Sequence, residues 1–207
     1  DFAALQAGLL DLYRADSDER WIEAATALAD AICERFFDSK RGDLFLTASD
    51  AEPLVTRPTS EGDGAVPAPA ALAVLGLVRL GELCGRRGWL DVADRVLETW
   101  SPVLEQAPSR VPTLARAAAL RDSGVGVAII LGDAQDPRAS ALARRARELL
   151  GSEDLVVWVS GGRTPAGLDP SWLEGRAAVD GRATAYLCRA RACSLPAHSP
   201  GELMLPA

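Results

Sequence analysis

The chain has 207 residues, 48% apolar and 25% charged, a balance ordinary for a globular protein with length enough to bury a sizeable core. Asp and Glu (29) outnumber Lys and Arg (22), and the net charge of −7 argues against non-specific nucleic-acid binding, which depends on neutralising phosphates. No apolar run approaches the roughly 20 residues of a membrane span, so no membrane partner is expected, and four cysteines are too few for a disulfide-dense secreted scaffold. A cytoplasmic, reduced protein is the expectation. The chain opens at Asp1-Phe2 with neither a methionine nor a signal-like segment, as a processed fragment would. Its one histidine, His198, stands in the Pro-flanked "PAHSP" and reads as a solvated tail residue, which leaves no His-based triad or zinc site.

Taken in chain order, the first half contains an internal repeat. "LLDLYRADSDERWIEAATALADAICERF" aligns without a gap on "LVRLGELCGRRGWLDVADRVLETWSPVL": Leu9 meets Leu77, Leu12 meets Leu80, Trp21 meets Trp89 and Ala25 meets Ala93. Each copy reads as helix, short polar turn, helix. Phe2, Leu5, Leu9 and Leu12 recur at helical spacing in the first helix, and Trp21, Ala25, Leu28, Ile32 and Phe36 in the second. Ser17-Asp18 offers an N-cap for the second helix, and Gly85 and Gly88 break the matching turn of the second copy. The helix from about Pro69 to Leu83 is apolar on more than one side and suits an inner position. The helix from about Trp89 to Val103 turns Asp91, Asp94, Arg95 and Glu98 to one side and suits an outer one. A single helical pair cannot bury its own apolar face, so two pairs leave an open flank, and further hairpins are expected beside Asp1.

Between the copies, Leu44 to Thr47 and Leu54 to Thr56 read as a short β-hairpin, followed by a Gly/Pro/Asp-rich approach to the next helix. After Ser123 the pattern changes. "VGVAIILG" (Val125 to Gly132) is a continuous apolar run that marks a strand buried on both faces. Asp136-Pro137 opens a helix to about Leu150, and "LVVWV" (Leu155 to Val159) is a second buried strand. Strand, helix, strand suggests a parallel βαβ unit, with a third strand at Thr184 to Cys188. The turn "LGDAQDP" carries one glycine and an acidic Asp133, and no nucleotide-binding glycine motif occurs, so it reads as a plain βα turn and no cofactor is expected. Arg138, Arg144, Arg145 and Arg147 read as a solvated helix face.

Arg57-Pro58, Asp63-Gly64-Ala65 with Pro67, and Val179-Asp180-Gly181-Arg182 through Cys188 and Cys193 to Pro196 carry a resemblance. Over essentially its whole length the chain resembles the C-terminal part of the YyaL-type thioredoxin domain-containing proteins, whose vertebrate members are called spermatogenesis-associated. The resemblance implies an upstream thioredoxin-like domain and a six-hairpin (α/α) toroid like that of glycosidases and sugar epimerases. The fold class expected is thus mainly α with an α/β appendage: two hairpins of a partial toroid over residues 1–123, then a small α/β unit over 124–207. The partners implied are the remaining hairpins, the thioredoxin-like domain or a partner chain, and a carbohydrate.

In such a toroid the long connections gather over the cavity beside the N-termini of the inner helices. Asp1, Arg57, Glu61 and Asp63 would then share one rim. Asp63, Asp1 and Glu61 are the candidate acid and base of glycoside chemistry, with Arg57 as a binding residue. Where the family has a polar Ser-Gly-Asn-Ser stretch, this chain has Ala68, Pro69, Ala70 and Ala71, which favours a vestigial, non-catalytic scaffold over an active hydrolase or epimerase.

The pair Cys188-x4-Cys193 admits three readings: packed thiols, a reversible disulfide made reactive by Arg189 and Arg191, or part of a zinc site. The zinc reading is poor in ligands, with only Cys33, Cys84 and His198 left to complete it.

Overall fold

A computed structural model describes residues 1–205. Helices α1 (Phe2–Asp16) and α2 (Glu19–Arg35) form the first hairpin, and α3 (Pro69–Cys84) and α4 (Arg87–Gln106) the second. The expected cap is Asp18, whose carboxylate accepts from the Arg20 backbone N–H. Gly85 ends α3 in the left-handed region, whereas Gly88 lies inside the first turn of α4. Ser17, which aligns with Gly85, ends α1 in nearly the same conformation, with φ 57° against 67°. That conformation crowds the Cβ of any residue but glycine. The Ser17 hydroxyl donates to the Val156 carbonyl across the layer, and this bond holds the turn.

Inner helix α3 is buried nearly all round, from Ala70 to Leu83. It packs against α1, α4 and a fifth helix, α5 (Pro112–Ser123), for which no element was expected. Thr113, Leu114, Ala117 and Leu120 are its buried positions. In α1 the buried face is Ala3, Gln6, Leu9, Leu10 and Tyr13. Leu5 and Leu12, expected in the core, are 58% and 45% exposed. Gly76 lets α3 approach α1 closely, since a Cβ there would collide with the Gln6 side-chain amide.

The linker hairpin forms one step earlier than expected. Strands β1 (Phe37–Asp38) and β2 (Asp43–Leu44) pair antiparallel, and Phe45 bridges to Thr59. Leu54 and Val55 are exposed and lie outside any strand, because no apolar surface faces them.

The second part is a four-stranded sheet of order β4-β3-β5-β6. Strand β3 (Gly126–Leu131) and β4 (Leu155–Val159) are parallel and joined through α6 (Pro137–Leu149), as the pattern predicts. Strand β5 (Thr184–Arg189) runs antiparallel to β3 and turns back into β6 (Ala192–Cys193), so the sheet is mixed. Both faces of β3 are covered. Val127, Ile129 and Leu131 join the core of the helical layer, while Ala128 and Ile130 pack under Leu142, Ala143 and Ala146 of α6. The tail is not free: Ala197 bridges Ala185, Leu203 is buried, and His198 is half-buried with Nδ1 3.4 Å from the Thr184 hydroxyl. Arg147 likewise leaves the solvated face expected of it and donates from Nε to the Arg14 carbonyl at 3.1 Å and from Nη2 to the Ala15 carbonyl at 2.6 Å.

Candidate functional site

The repeat places Asp1 and Pro69 at matching helix starts, and both line one cavity of about 60 Å³ with Phe2, Phe36, Phe45 and Ala73. Arg57, Glu61 and Asp63 do not line it. Asp1 is exposed, and its carbonyl receives the Leu5 N–H. Glu61 is exposed, with no hydrogen-bond or ion-pair partner for its carboxylate among the described residues.

Asp63 is fully engaged. One carboxylate oxygen accepts from the Ala68 N–H at 2.6 Å, the residue that caps α3, and the other from the Thr113 N–H at 2.7 Å, in the first turn of α5. Burial raises the pKa of its carboxyl, but those two N–H groups, helped by the Thr113 hydroxyl and Arg116, outweigh it and hold the pKa below its ordinary value. The group is an ionised clasp between two helix N-termini, where the helix dipoles also favour it.

Among the described residues Arg57 pairs with no carboxylate. Its Nη2 donates to the carbonyls of Arg35 (3.2 Å) and Thr47, and its guanidinium lies 4.0 Å from the Phe45 ring centroid. It ties the linker to the end of α2. Ala68, Ala70 and Ala71, at the mouth of α3, are buried.

Cys188 and Cys193 are directly opposed in the β5–β6 register and joined by a disulfide, which corrects the reading of two unbridged thiols. Cys33 and Cys84 are free, and neither joins the pair. Among the described residues, no group of three or more His, Cys, Asp or Glu is placed to hold a metal ion.

Two buried charges were not among the candidates named from the sequence. Arg79, 2% exposed in the middle of α3, donates to Asp11 of α1 at 3.2 Å and lies 3.7 Å from Glu153. Asp154 accepts from the N–H groups of Gly126 and Gly151 and from Arg189. The sequence signal for the first was a lone arginine in the middle of a mostly apolar helix.

The architecture defines a helical-hairpin repeat stacked on one face of a small mixed sheet. No family model matches the chain. Among curated proteins it is similar to spermatogenesis-associated protein 20 of Homo sapiens, 28% identical over 212 residues, and of Rattus norvegicus, 29% identical over 212 residues; each alignment covers 98% of this chain and 26% of the relative. An uncharacterised protein of Caenorhabditis elegans is 24% identical over 204 residues, covering 98% of this chain and 27% of the relative. The chain spans about a quarter of the length of the curated relatives it matches. Among the described residues no helix is long and apolar enough to cross a membrane.

Proposed function

We propose that the chain is a non-catalytic scaffold segment of a larger helical-hairpin array. The observation that carries this reading is the outer face of α1. Leu5 and Leu12 are exposed there, while Ala73 and Leu80, their counterparts in the second copy, are buried at 4% and 0%. A Cβ on Gly76 would collide with α1, whereas one on Gly8, its counterpart, would meet nothing. The second copy rests on the first, and the first awaits an equivalent neighbour. A further hairpin of the same kind is that neighbour, in keeping with a six-hairpin toroid and an upstream thioredoxin-like domain.

The test is solution behaviour. The isolated chain should self-associate or bind an apolar dye, and Leu5→Glu with Leu12→Glu should abolish this without unfolding it. A monomeric wild-type chain with no dye binding would overturn the reading.

The alternative, a carbohydrate-active hydrolase or epimerase, draws on the exposed Asp1 at the start of α1 and the exposed Glu61 in the linker before α3. Two observations weigh against it. Asp63 has both oxygens committed to backbone N–H groups. The cavity of about 60 Å³ is well below the roughly 300 Å³ of a small-molecule pocket. Glycan-array binding that is lost in Asp1→Asn or Glu61→Gln would restore the alternative.

A further inference from the structure

Strand β5 reverses into β6 through Ala190 and Arg191, whose φ values are 47° and 67°. A two-residue turn with both φ positive has the type I′ form, which favours Asn-Gly. Here both residues carry a Cβ that crowds the following carbonyl, and β6 adds only two residues of ladder. The turn does not hold itself closed. Beside the Ser194 N–H bond to the Leu187 carbonyl and the Ala185–Ala197 bridge further along, two things close it: the Cys188–Cys193 bond and the grip of Arg191.

That grip reaches the helical layer. Arg191 Nη2 donates to the Glu82 carbonyl and to the Asp169 carboxylate, each at 3.1 Å. Its Nη1 donates to the Ser171 hydroxyl, and the guanidinium lies 4.2 Å from the Trp172 ring centroid. Trp172 Nε1 donates to the same Glu82 carbonyl at 3.2 Å, and the Asp169 N–H donates to the Leu83 carbonyl at 3.0 Å. The hairpin tip and the 169–172 turn together satisfy the last carbonyls of α3, which an unassisted helix end leaves open.

The two sulfurs differ in access. Cys188 is 1% exposed, while Cys193 is half-buried, with Arg176 Nε 3.0 Å from its sulfur. A thiolate from outside can reach Cys193, and the guanidinium favours negative charge there. The other cysteines do not compete, since burial pushes Cys33 and Cys84 up to about 12 and keeps them as thiols at neutral pH.

We propose that Cys188 and Cys193 form a reversible thiol–disulfide exchange site, turned over by a dithiol, whose state sets whether Arg191 caps α3. In the reducing direction a thiolate of the dithiol attacks Cys193 Sγ. The Cys188–Cys193 bond breaks, a mixed disulfide forms at Cys193, and Cys188 leaves as a thiolate that takes up a proton. The second thiol of the dithiol, deprotonated, attacks its partner sulfur and leaves as the cyclic disulfide. Cys193 is released as a thiolate beside Arg176 and is then protonated. The dithiol loses two electrons and two protons, and the cysteine pair gains them; oxidation by a disulfide is the reverse.

The experiment equilibrates the 207-residue chain with reduced and oxidised dithiothreitol in graded ratios, then reads thiol alkylation by mass spectrometry and backbone amide exchange by segment. The pair should open in one reversible step while Cys33 and Cys84 stay unlinked, and exchange in residues 169–173 and 190–194 should rise several-fold on reduction. Cys193→Ser should show the fast exchange in either buffer. Arg191→Ala should speed exchange in 169–173 and make the pair easier to reduce, because a contact that the bond supports must in turn support the bond. Three outcomes overturn the proposal: a pair that stays free in oxidised buffer, a pair that stays bridged in the reduced native protein, or exchange in 169–173 that is equal in both states of the wild-type chain. The wild-type titration decides even if a variant fails to fold.

Discussion

Arg14 and Arg147 cap each other's helices. Arg14 Nη2 donates to the carbonyls of Arg147 and Gly151, both at 3.3 Å, at the end of α6. Arg147 donates from Nε to the Arg14 carbonyl and from Nη2 to the Ala15 carbonyl, at the end of α1. Each cation sits where the partner helix collects unpaired carbonyls and negative dipole. Burial, and then the neighbouring Arg14 charge, lowers the pKa of Arg147, so like charges are held close for the sake of the carbonyls. Each single alanine variant should lose about 1 kcal/mol of unfolding free energy, and the double variant should lose more than the sum, because each single variant also relieves the repulsion between the two cations. Arg147→Lys should not rescue, because a lysine lacks the fork that spans two carbonyls. Urea unfolding of the four species checks this.

Asp63 gives a pH signature. Its folded pKa is depressed, so its stabilisation is complete above the unfolded value of about 3.9 and is lost as pH falls through the folded one. Asp63→Ala should lower stability by about 1–2 kcal/mol at neutral pH, as the loss of a helix cap does. The gap between wild type and variant should stay flat down to about pH 5 and narrow below pH 4. Thermal unfolding across that range measures it.

Ser17 separates strain from hydrogen bonding. Ser17→Ala loses the bond to the Val156 carbonyl and keeps the left-handed conformation, whereas Ser17→Gly loses the bond but relieves the Cβ. The alanine variant should be less stable than the glycine variant by about 1 kcal/mol. Equal stabilities would mean that the turn is unstrained.

The α1–α3 contact depends on Gly76. Gly76→Ala should cost about 2 kcal/mol, because its methyl group meets the buried Gln6 amide. Adding Gln6→Ala should recover part of that loss, since it vacates the space; chemical denaturation of both variants would show the coupling.

Much of this fold was legible where local chemistry dictates it. "VGVAIILG" predicts a strand buried on both faces because an uninterrupted apolar run has no side to turn to water, and α6 and the helical layer do cover both. Asp136-Pro137 and Asp18 mark helix starts through caps that act within a few residues. The misses were decided by distant partners. Helix α1 is apolar on most sides, so whether Leu5 or Leu10 is buried depends on where α2 and α3 lie. Helix α5 did carry a signal in Thr113, Leu114, Ala117 and Leu120, diluted by Arg116 and Arg121. The role of Asp63 rests on Thr113, and no local pattern joins them. The hairpin that closes the disulfide lacks the Asn-Gly pair that would have announced it.

The two faces of β3 belong to two different cores, and this bears on how the chain holds together. Residues Val127, Ile129, Leu131, Val157 and Tyr186 share one buried cluster with Leu10, Ile22, Val74 and Leu77 of the repeat. The unit that recurs in the sequence is therefore not the unit that melts. Cutting at Ser123 would strip one side of the helical pairs as surely as it would strip the sheet, and neither piece would keep a closed interior. The duplication accounts for the first half of the sequence, and the shared interior ties that half to the sheet.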